Sequence, residues 1–334
     1  MPKALTKQNQ HFLKIWESAI GFYRVWIVHM GRRYGLFNAL AQILEPVSPD
    51  ELAISLKLAK KPIITWCDAA YSLGLLRKID SKYVLPKEMV PLLCDEEDIS
   101  FIGGLASYLA LRSLDFNLFD DFFRNEEPAK MQQHLEQASY EGTLFDHTAF
   151  IKLVLPKEHH MQKVLENGAS VIDIGSGSGN WSLKMARHFP NSHFLGIDPN
   201  AGSVEKARKR AQELCIRNVE FKVSNAESME IAQKFDVVYF GEVLYLIKDK
   251  IKVLKKYYNA LKKNGSLIVC EGLIDHYAKN VENQLIHAMQ LDFELQGGEF
   301  FTKDLLQRTL AYSGFGKTRF YDVGGGLWFV IACK

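Results

Sequence analysis

Cysteine is scarce and unpatterned in this chain of 334 residues: Cys67, Cys94, Cys215, Cys270 and Cys333 are scattered, odd in number and include no C-x-x-C pair. That spacing suggests neither a disulfide framework nor a zinc site, and it fits a reducing cytoplasm. No run of 18 or more apolar residues occurs, so no bilayer span is expected. The opening Met1-Pro-Lys-Ala-Leu5 has no apolar h-region after it, so no signal peptide is expected. An excess of one charge is also missing. With 41 Lys and Arg against 39 Asp and Glu, the formal net charge is +2, and neither nucleic acid nor a membrane surface is suggested as the main partner. The 47% hydrophobic and 24% charged residues are ordinary for a globular protein, and the length allows two domains.

From Lys7 to Ile43 the pattern is helical and rich in aromatics: Phe12, Trp16, Phe22, Tyr23, Trp26, Tyr34 and Phe37. These rings either fill a core or form a dimer contact or a cover over a substrate. Ser48, Pro49 and Glu51 then form a capping-box start for a short helix to about Leu56. Lys61-Pro62 opens another, with Ile64, Cys67, Ala70, Tyr71 and Leu73 expected toward the core and Gly74 closing it. Leu75–Leu85 reads as a hairpin around Asp80-Ser81. Helices followed by a hairpin make a winged helix-turn-helix. Its would-be recognition helix, Ile63–Ser72, holds one acid and no base, so packing, dimerisation and substrate enclosure are expected of it rather than groove reading. In the middle, residues 95–165 are expected to be a helical linker and substrate lid. Leu144–Lys152 starts a helix there, and His147, His159 and His160 are titratable candidates for an acceptor pocket.

The densest signal is Val171-Ile-Asp-Ile-Gly-Ser-Gly-Ser-Gly-Asn-Trp-Ser182: a short β-branched strand, glycines at 175, 177 and 179, then a helical run. Such a turn brings backbone N–H groups close to a ligand. Asp198 stands at the tip of the next strand, 23 residues after Gly175, near the roughly 20 residues at which an acid grips ribose hydroxyls. Strands follow at 219–223, 235–240 and 266–270, separated by helices, which predicts an α/β fold with a parallel doubly wound sheet. The last two strands, at 318–323 and 327–332, are joined by Gly324-Gly-Gly326 and are expected to pair antiparallel.

A nicotinamide enzyme would need a third glycine at 180, but that residue is Asn180, and the glycine is at 179. An acid, Asp173, also precedes the loop, a poor neighbour for a pyrophosphate and a suitable one for an ammonium or sulfonium group. With these residues, Asp198, Asn225-Ala226 and the closing hairpin, residues 166–334 resemble the class I S-adenosylmethionine-dependent methyltransferases. The N-terminus, with Leu73-Gly-Leu-Leu76 and Tyr83-Val-Leu85, resembles the dimerisation domain of small-molecule O-methyltransferases, here residues 1–94. The resemblance implies a Rossmann-like seven-stranded sheet, a cytoplasmic homodimer, S-adenosylmethionine as cofactor and a small-molecule acceptor, with no nucleic acid, membrane or metal. It implies that Gly175, Ser176 and Gly177 meet the methionine part, that Asp173 places its amino group and that Asp198 with Pro199 takes the ribose. It also implies that Asn225 and Ala226 meet the adenine and that Phe240 and Gly241 border the sulfonium. The family's Val-Leu-His-Asp-Trp run is Val243-Leu-Tyr-Leu-Ile247 here, so Tyr245 stands where the catalytic His would be. Tyr245, His147, Glu242 and Glu271 are the candidates for shaping the acceptor site. A winged-helix regulator without catalysis and an NAD-dependent oxidoreductase are the alternative readings.

Overall fold

A computed structural model describes residues 7–43, 45–231 and 234–334, and the stretch read above for a leader lies outside them. The elements run α1 (Lys7–Arg33), α2 (Leu36–Ile43), α3 (Pro49–Ser55), α4 (Lys60–Ser72), β1 (Arg77–Ile79), β2 (Lys82–Val84), α5 (Val90–Leu93) and α6 (Gly103–Ser113). They continue with α7 (Phe119–Asn125), α8 (Leu135–Gly142), α9 (Leu144–Ala149), a π-helical turn over Phe150–Val154 and α10 (His159–Gly168). The rest alternates: β3 (Ser170–Ile174), α11 (Asn180–His188), β4 (His193–Asp198), α12 (Ala201–Glu213), β5 (Val219–Val223), β6 (Phe235–Gly241), α13 (Lys250–Ala260), β7 (Leu261–Gly272), α14 (Val281–Gln296), α15 (Lys303–Tyr312), β8 (Lys317–Asp322) and β9 (Leu327–Cys333). Two compact units result, one of residues 1–115 and 137–145, the other of residues 116–136 and 146–334. No described helix is long and apolar enough to cross a membrane.

In the first unit, the helical run expected over 7–43 breaks at Gly35, whose φ of +69° is the left-handed conformation glycine takes without strain. The capping box forms as expected: the Ser48 hydroxyl accepts from the Glu51 N–H, and the Glu51 carboxylate accepts from the Ser48 N–H at 2.8 Å. The inward face of α4 differs from expectation. Ile63, Trp66, Cys67 and Ala70 are buried, whereas Ile64 and Tyr71 are exposed. Trp66 fixes the rotation, since its indole N–H donates to the Ile27 carbonyl at 2.9 Å and its ring packs edge-on against Phe37. The N-terminal aromatics divide in the same way: Phe37 joins the core, but Phe12, Trp16, Phe22, Tyr23 and Tyr34 are exposed.

The second unit is built on a seven-stranded sheet in the order β5-β4-β3-β6-β7-β9-β8, parallel except where β9 pairs antiparallel with β7 and β8. This is the sheet with a terminal antiparallel hairpin that the sequence implied. Strand β7 starts at Leu261, earlier than the expected Ser266, because Leu261 pairs with Phe235 across a register irregularity. Alternation sorts the strands onto two faces. Ile172, Ile174, Val238, Phe240, Leu267, Val269 and Val330 turn to a core closed by residues of α13 and α15. Asp173, Tyr239, Gly241, Cys270 and Phe329 turn to the other face, where Trp181 of α11 stacks on Tyr239 with centroids 3.9 Å apart and Phe150 lies over Phe329 at 5.4 Å.

Candidate active site

The chain builds outward from β3 to β4 and β5, then jumps back to β6 on the other side of β3. The carboxyl ends of β3 and β6 are therefore the switch point at which such sheets bind ligands. Gly175–Gly179 lies at that point. The N–H groups of Gly175 and Ser176 both donate to the Ile197 carbonyl, at 2.8 and 2.9 Å, which ties the loop to β4. Gly175 has φ +72°, and a Cβ there would stand 2.6 Å from Val243 Cγ2. Gly177 has φ +50° with nothing within 4 Å of a Cβ, so its backbone faces open space. The Ser176 hydroxyl is buried without a hydrogen-bond partner among the described residues.

Asp198 is set at the lip of this loop. Its Oδ2 accepts from the Gly177 N–H at 2.9 Å and its Oδ1 from the Asn200 N–H at 2.8 Å. Burial raises its pKa, opposed by those two bonds. Each oxygen keeps a lone pair for a further donor. Pro199 beside it is exposed. Behind the loop, Asp173 is 2% exposed and accepts from the Ser182 hydroxyl at 2.6 Å. Burial pushes its carboxyl up to about 7. Past the end of β5, the side-chain carbonyl of exposed Asn225 accepts from the Glu227 N–H at 2.7 Å, and Ala226 is half-buried. The Phe240 ring packs on the core side against Tyr257, which leaves only its backbone at the strand tip. At Gly241 a Cβ would stand 2.3 Å from the Tyr239 hydroxyl, so only glycine lets that hydroxyl approach.

The four acceptor-site candidates occupy different surroundings. Glu242 is half-buried at the tip of β6 with a φ of +49°, held there by its N–H donating to the Cys270 carbonyl at 2.8 Å. Burial brings its carboxyl up to about 7. Glu271, 1% exposed, accepts from the Leu244 N–H at 2.7 Å and so fixes the turn after β6, while burial and nearby Glu242 raise its pKa. Tyr245 lies in that turn, its ring on Phe293 at 4.8 Å and its hydroxyl donating to Gln296 Oε1 at 3.1 Å. A Cβ at Gly298 would stand 2.1 Å from the Tyr245 ring, so only glycine at that position admits this ring. His147 is buried, and burial with nearby Lys184 and Arg210 brings its pKa down to about 3, so it is neutral. His159 and His160 are exposed on α10.

Two residues that the sequence reading passed over belong here. Asp146, 5% exposed, has its pKa raised by burial and by Glu242. Tyr239 is buried, and burial raises its pKa, as do Cys270, Asp146, Asp173 and Glu242. The signal for Asp146 was an acid inside the apolar run Leu144–Phe150, and that for Tyr239 was its place two residues before the strand-end glycine.

Residues 165–314 match the model of a methyltransferase domain. The (S)-coclaurine N-methyltransferase of Papaver somniferum is 24% identical over 171 residues, covering 50% of this chain and 48% of that enzyme. The demethylmenaquinone methyltransferase of Listeria welshimeri is 28% identical over 172 residues, covering 48% of this chain and 71% of that one. The chain thus spans about half the length of the first of these relatives and more of the second. Among solved structures, human N-acetylserotonin methyltransferase in complex with S-adenosylmethionine superposes with a TM-score of 0.69 at 18% identity, covering 100% of this chain and 99% of that one. Residues 165–314 therefore carry the match to a methyltransferase domain, within a fold shared with human N-acetylserotonin methyltransferase.

Proposed function

We propose that the protein transfers a methyl group from S-adenosylmethionine to a small-molecule acceptor, as a homodimer joined through residues 1–94, with residues 95–165 supplying acceptor selectivity. The observation that carries this reading is the Gly175–Gly179 loop at the switch point, with the Asp198 carboxylate held at its lip by the Gly177 and Asn200 N–H groups. The residues present suit the cofactor. Gly177 leaves space for close approach, the buried Ser176 hydroxyl lacks a partner among the described residues, and Asp198 retains acceptor capacity for a vicinal diol. Buried Asp173 and Asp146 and half-buried Glu242 offer acidic groups to a ligand that carries an ammonium and a sulfonium. When bound, S-adenosylmethionine supplies a methyl group already activated on a sulfonium.

In this reading Asp198 and Pro199 hold the ribose, Asn225 and the Ala226 N–H face the adenine, and Asp173 with Gly175, Ser176 and Gly177 holds the amino-acid end. The backbone of Phe240 and Gly241 borders the sulfonium. Tyr245, already bonded to Gln296, and Glu271, already bonded to the Leu244 N–H, shape the wall, as does neutral His147. Much of the rate can come from alignment alone, which supplies up to about 7–11 kcal/mol in well-oriented systems. The relatives' names span an N-methyltransferase and enzymes of demethylmenaquinone and N-acetylserotonin, so the acceptor class is open to selection by this chain's own pocket.

Calorimetry with S-adenosylhomocysteine tests the reading. Binding is expected, with a rise in melting temperature corresponding to about 2.7 kcal/mol when the ligand is at 100 times its dissociation constant. Asp198→Ala is expected to lose most of that shift while still folding. Absence of a shift at millimolar ligand, or an unchanged shift in the variant, overturns it.

A further inference from the structure

The turn that follows β5 is held both from within and from outside. Within it, Ser224 donates its N–H to the Asp198 carbonyl at 3.0 Å, and the Met229 N–H closes back onto the Asn225 carbonyl at 3.0 Å. The Asn225 side-chain carbonyl accepts from the Glu227 N–H at 2.7 Å. A bond of this kind, to the backbone two residues on, is the local chemistry that suits Asn to turns. From outside, α13 adds two side chains. The Lys256 ammonium donates to two successive carbonyls, those of Ala226 and Glu227, both at 3.1 Å. The Tyr257 hydroxyl also donates to the Ala226 carbonyl, at 3.3 Å.

These bonds pin one peptide unit at both of its ends. The Ala226 carbonyl and the Glu227 N–H belong to the same planar group. Its oxygen takes two donors, which fills both lone pairs. Its N–H is taken by Asn225. Swivelling that plane would break the bonds to Lys256, Tyr257 and Asn225 together, and the one to Lys256 is charge-assisted. The Asn225 side chain is fixed by the same unit, because its oxygen is bonded to it. The peptide just before carries the Ala226 N–H, which has no hydrogen-bond partner among the described residues. That N–H is therefore aimed by its surroundings and left open.

The two side chains of α13 differ from their neighbours. Lys252 and Lys255 are exposed, whereas Lys256 is half-buried over the turn. Tyr257 is fully buried, and its ring meets Phe240 edge-on with centroids 5.5 Å apart. One side chain thus touches both the last strand residues of β6 and the turn after β5.

Resting on the methyltransferase reading, we propose that Lys256 is a positioning residue for recognition of the cofactor's base, with Tyr257 as a second anchor. Neither touches the ligand. Together they hold the Asn225–Glu227 turn so that the Ala226 N–H meets an acceptor nitrogen of the purine. The six-membered ring of adenine carries two such nitrogens, N1 and N3. A donor whose direction is fixed before the ligand arrives spends little on ordering, so more of its hydrogen bond appears as affinity. Loss of Lys256 frees the turn to swivel and weakens the reading of the base. The ribose and amino-acid ends keep their own contacts at Asp198 and the glycine loop.

The test separates reading of the base from general binding. S-adenosylhomocysteine and its 1-deaza and 3-deaza analogues, each with one acceptor nitrogen replaced by C–H, are titrated by calorimetry into the full-length protein. In the wild type, one analogue is expected to bind about tenfold more weakly than the parent, the effect of one lost hydrogen bond. In Lys256→Met that ratio is expected to fall to about twofold, because an unheld N–H contributes less. In Lys256→Arg the wild-type ratio is expected to return, since a guanidinium can bridge both carbonyls. Tyr257→Phe is expected to lie between the wild type and Lys256→Met. A merely structural role would weaken all three ligands alike. An unchanged ratio in Lys256→Met therefore overturns the proposal, as does equal binding of parent and both analogues by the wild type. Both results leave the methyltransferase reading intact, whereas failure of the wild type to bind S-adenosylhomocysteine overturns the two together. The far-ultraviolet spectrum reports whether each variant folds. Should Lys256→Met fail to fold, Tyr257→Phe decides, since it removes one oxygen and keeps the ring against Phe240: a lowered ratio supports the proposal and an unaltered one overturns it.

Discussion

Asp173 shows how one residue ties fold stability to pH. It sits on the Trp181 side of the sheet, opposite Tyr239 in register, and is almost fully enclosed. Burial raises its carboxyl to about 7, and the Ser182 hydroxyl only partly offsets this. The folded protein therefore holds a proton here that the unfolded chain releases near pH 4. Stability contributed by that proton is full below about pH 4 and is lost as pH rises toward about 7. The ligand-free protein is thus expected to melt several degrees lower at pH 8 than at pH 5. Asp173→Asn keeps an acceptor for Ser182 and removes the titration, so its melting temperature is expected to vary less over the same range. Scanning calorimetry at fixed ionic strength on both proteins checks this, and parallel curves would count against it. The residue type and its place before the glycines were legible in the sequence, because an acid at the end of an apolar strand is conspicuous. The raised pKa was not, since it depends on α11 laying Ser182 and Trp181 over the strand.

Elements were legible where a local rule fixes them and less so where packing does. The capping box at Ser48 is local chemistry, and α3 begins where Ser48, Pro49 and Glu51 require. Replacing Ser48 by Ala is expected to cost about 1 kcal/mol in urea unfolding, with Ser48→Asp close to neutral. Equal losses in both would mean that the cap's hydrogen bond is not what the helix start depends on. The glycine loop, the parallel strands and the closing hairpin were read correctly for the same reason, as each carries its own signature of period or turn residue. Helix α4 is the counter-example. Ile63 and Ile64 are adjacent apolar residues about 100° apart on a helix, so two faces compete. The choice is made by Trp66, whose N–H reaches a carbonyl 39 residues earlier in the chain. Strand β7 was likewise shortened in the reading, because Lys262-Lys-Asn-Gly265 looks like a turn and only pairing with β6 extends the strand through it. Asp146 was missed for a third reason. An acid on a helix reads as a solvated face, and only the seating of Phe150 turns it inward.

At the scale of the whole molecule, α1 leaves an apolar surface uncovered among the described residues. Its last turns pack into the N-terminal core through Val28 and the half-buried Ile27 and Met30. Its first turns do not: Phe12, Ile15, Trp16, Phe22 and Tyr23 are 59%, 73%, 53%, 51% and 67% exposed. With Ala19 they fall at intervals of three and four, one continuous stripe about 17 Å long at 1.5 Å per residue. Aromatic residues are the type most enriched at the centres of protein interfaces, and scattered exposed apolar residues would not align on one face. A second copy of the same helix is the simplest cover, since a two-fold axis sets identical stripes against each other. The protein is therefore expected to sediment as a dimer at micromolar concentration. Trp16→Glu with Tyr23→Glu is expected to shift it to monomer, because two charges would be placed at the centre of the contact in each copy. Neither residue belongs to the cores of the two units, so helical content and binding of S-adenosylhomocysteine to the second unit should persist. A wild-type monomer at high concentration, or a variant that remains dimeric, would remove α1 as the contact.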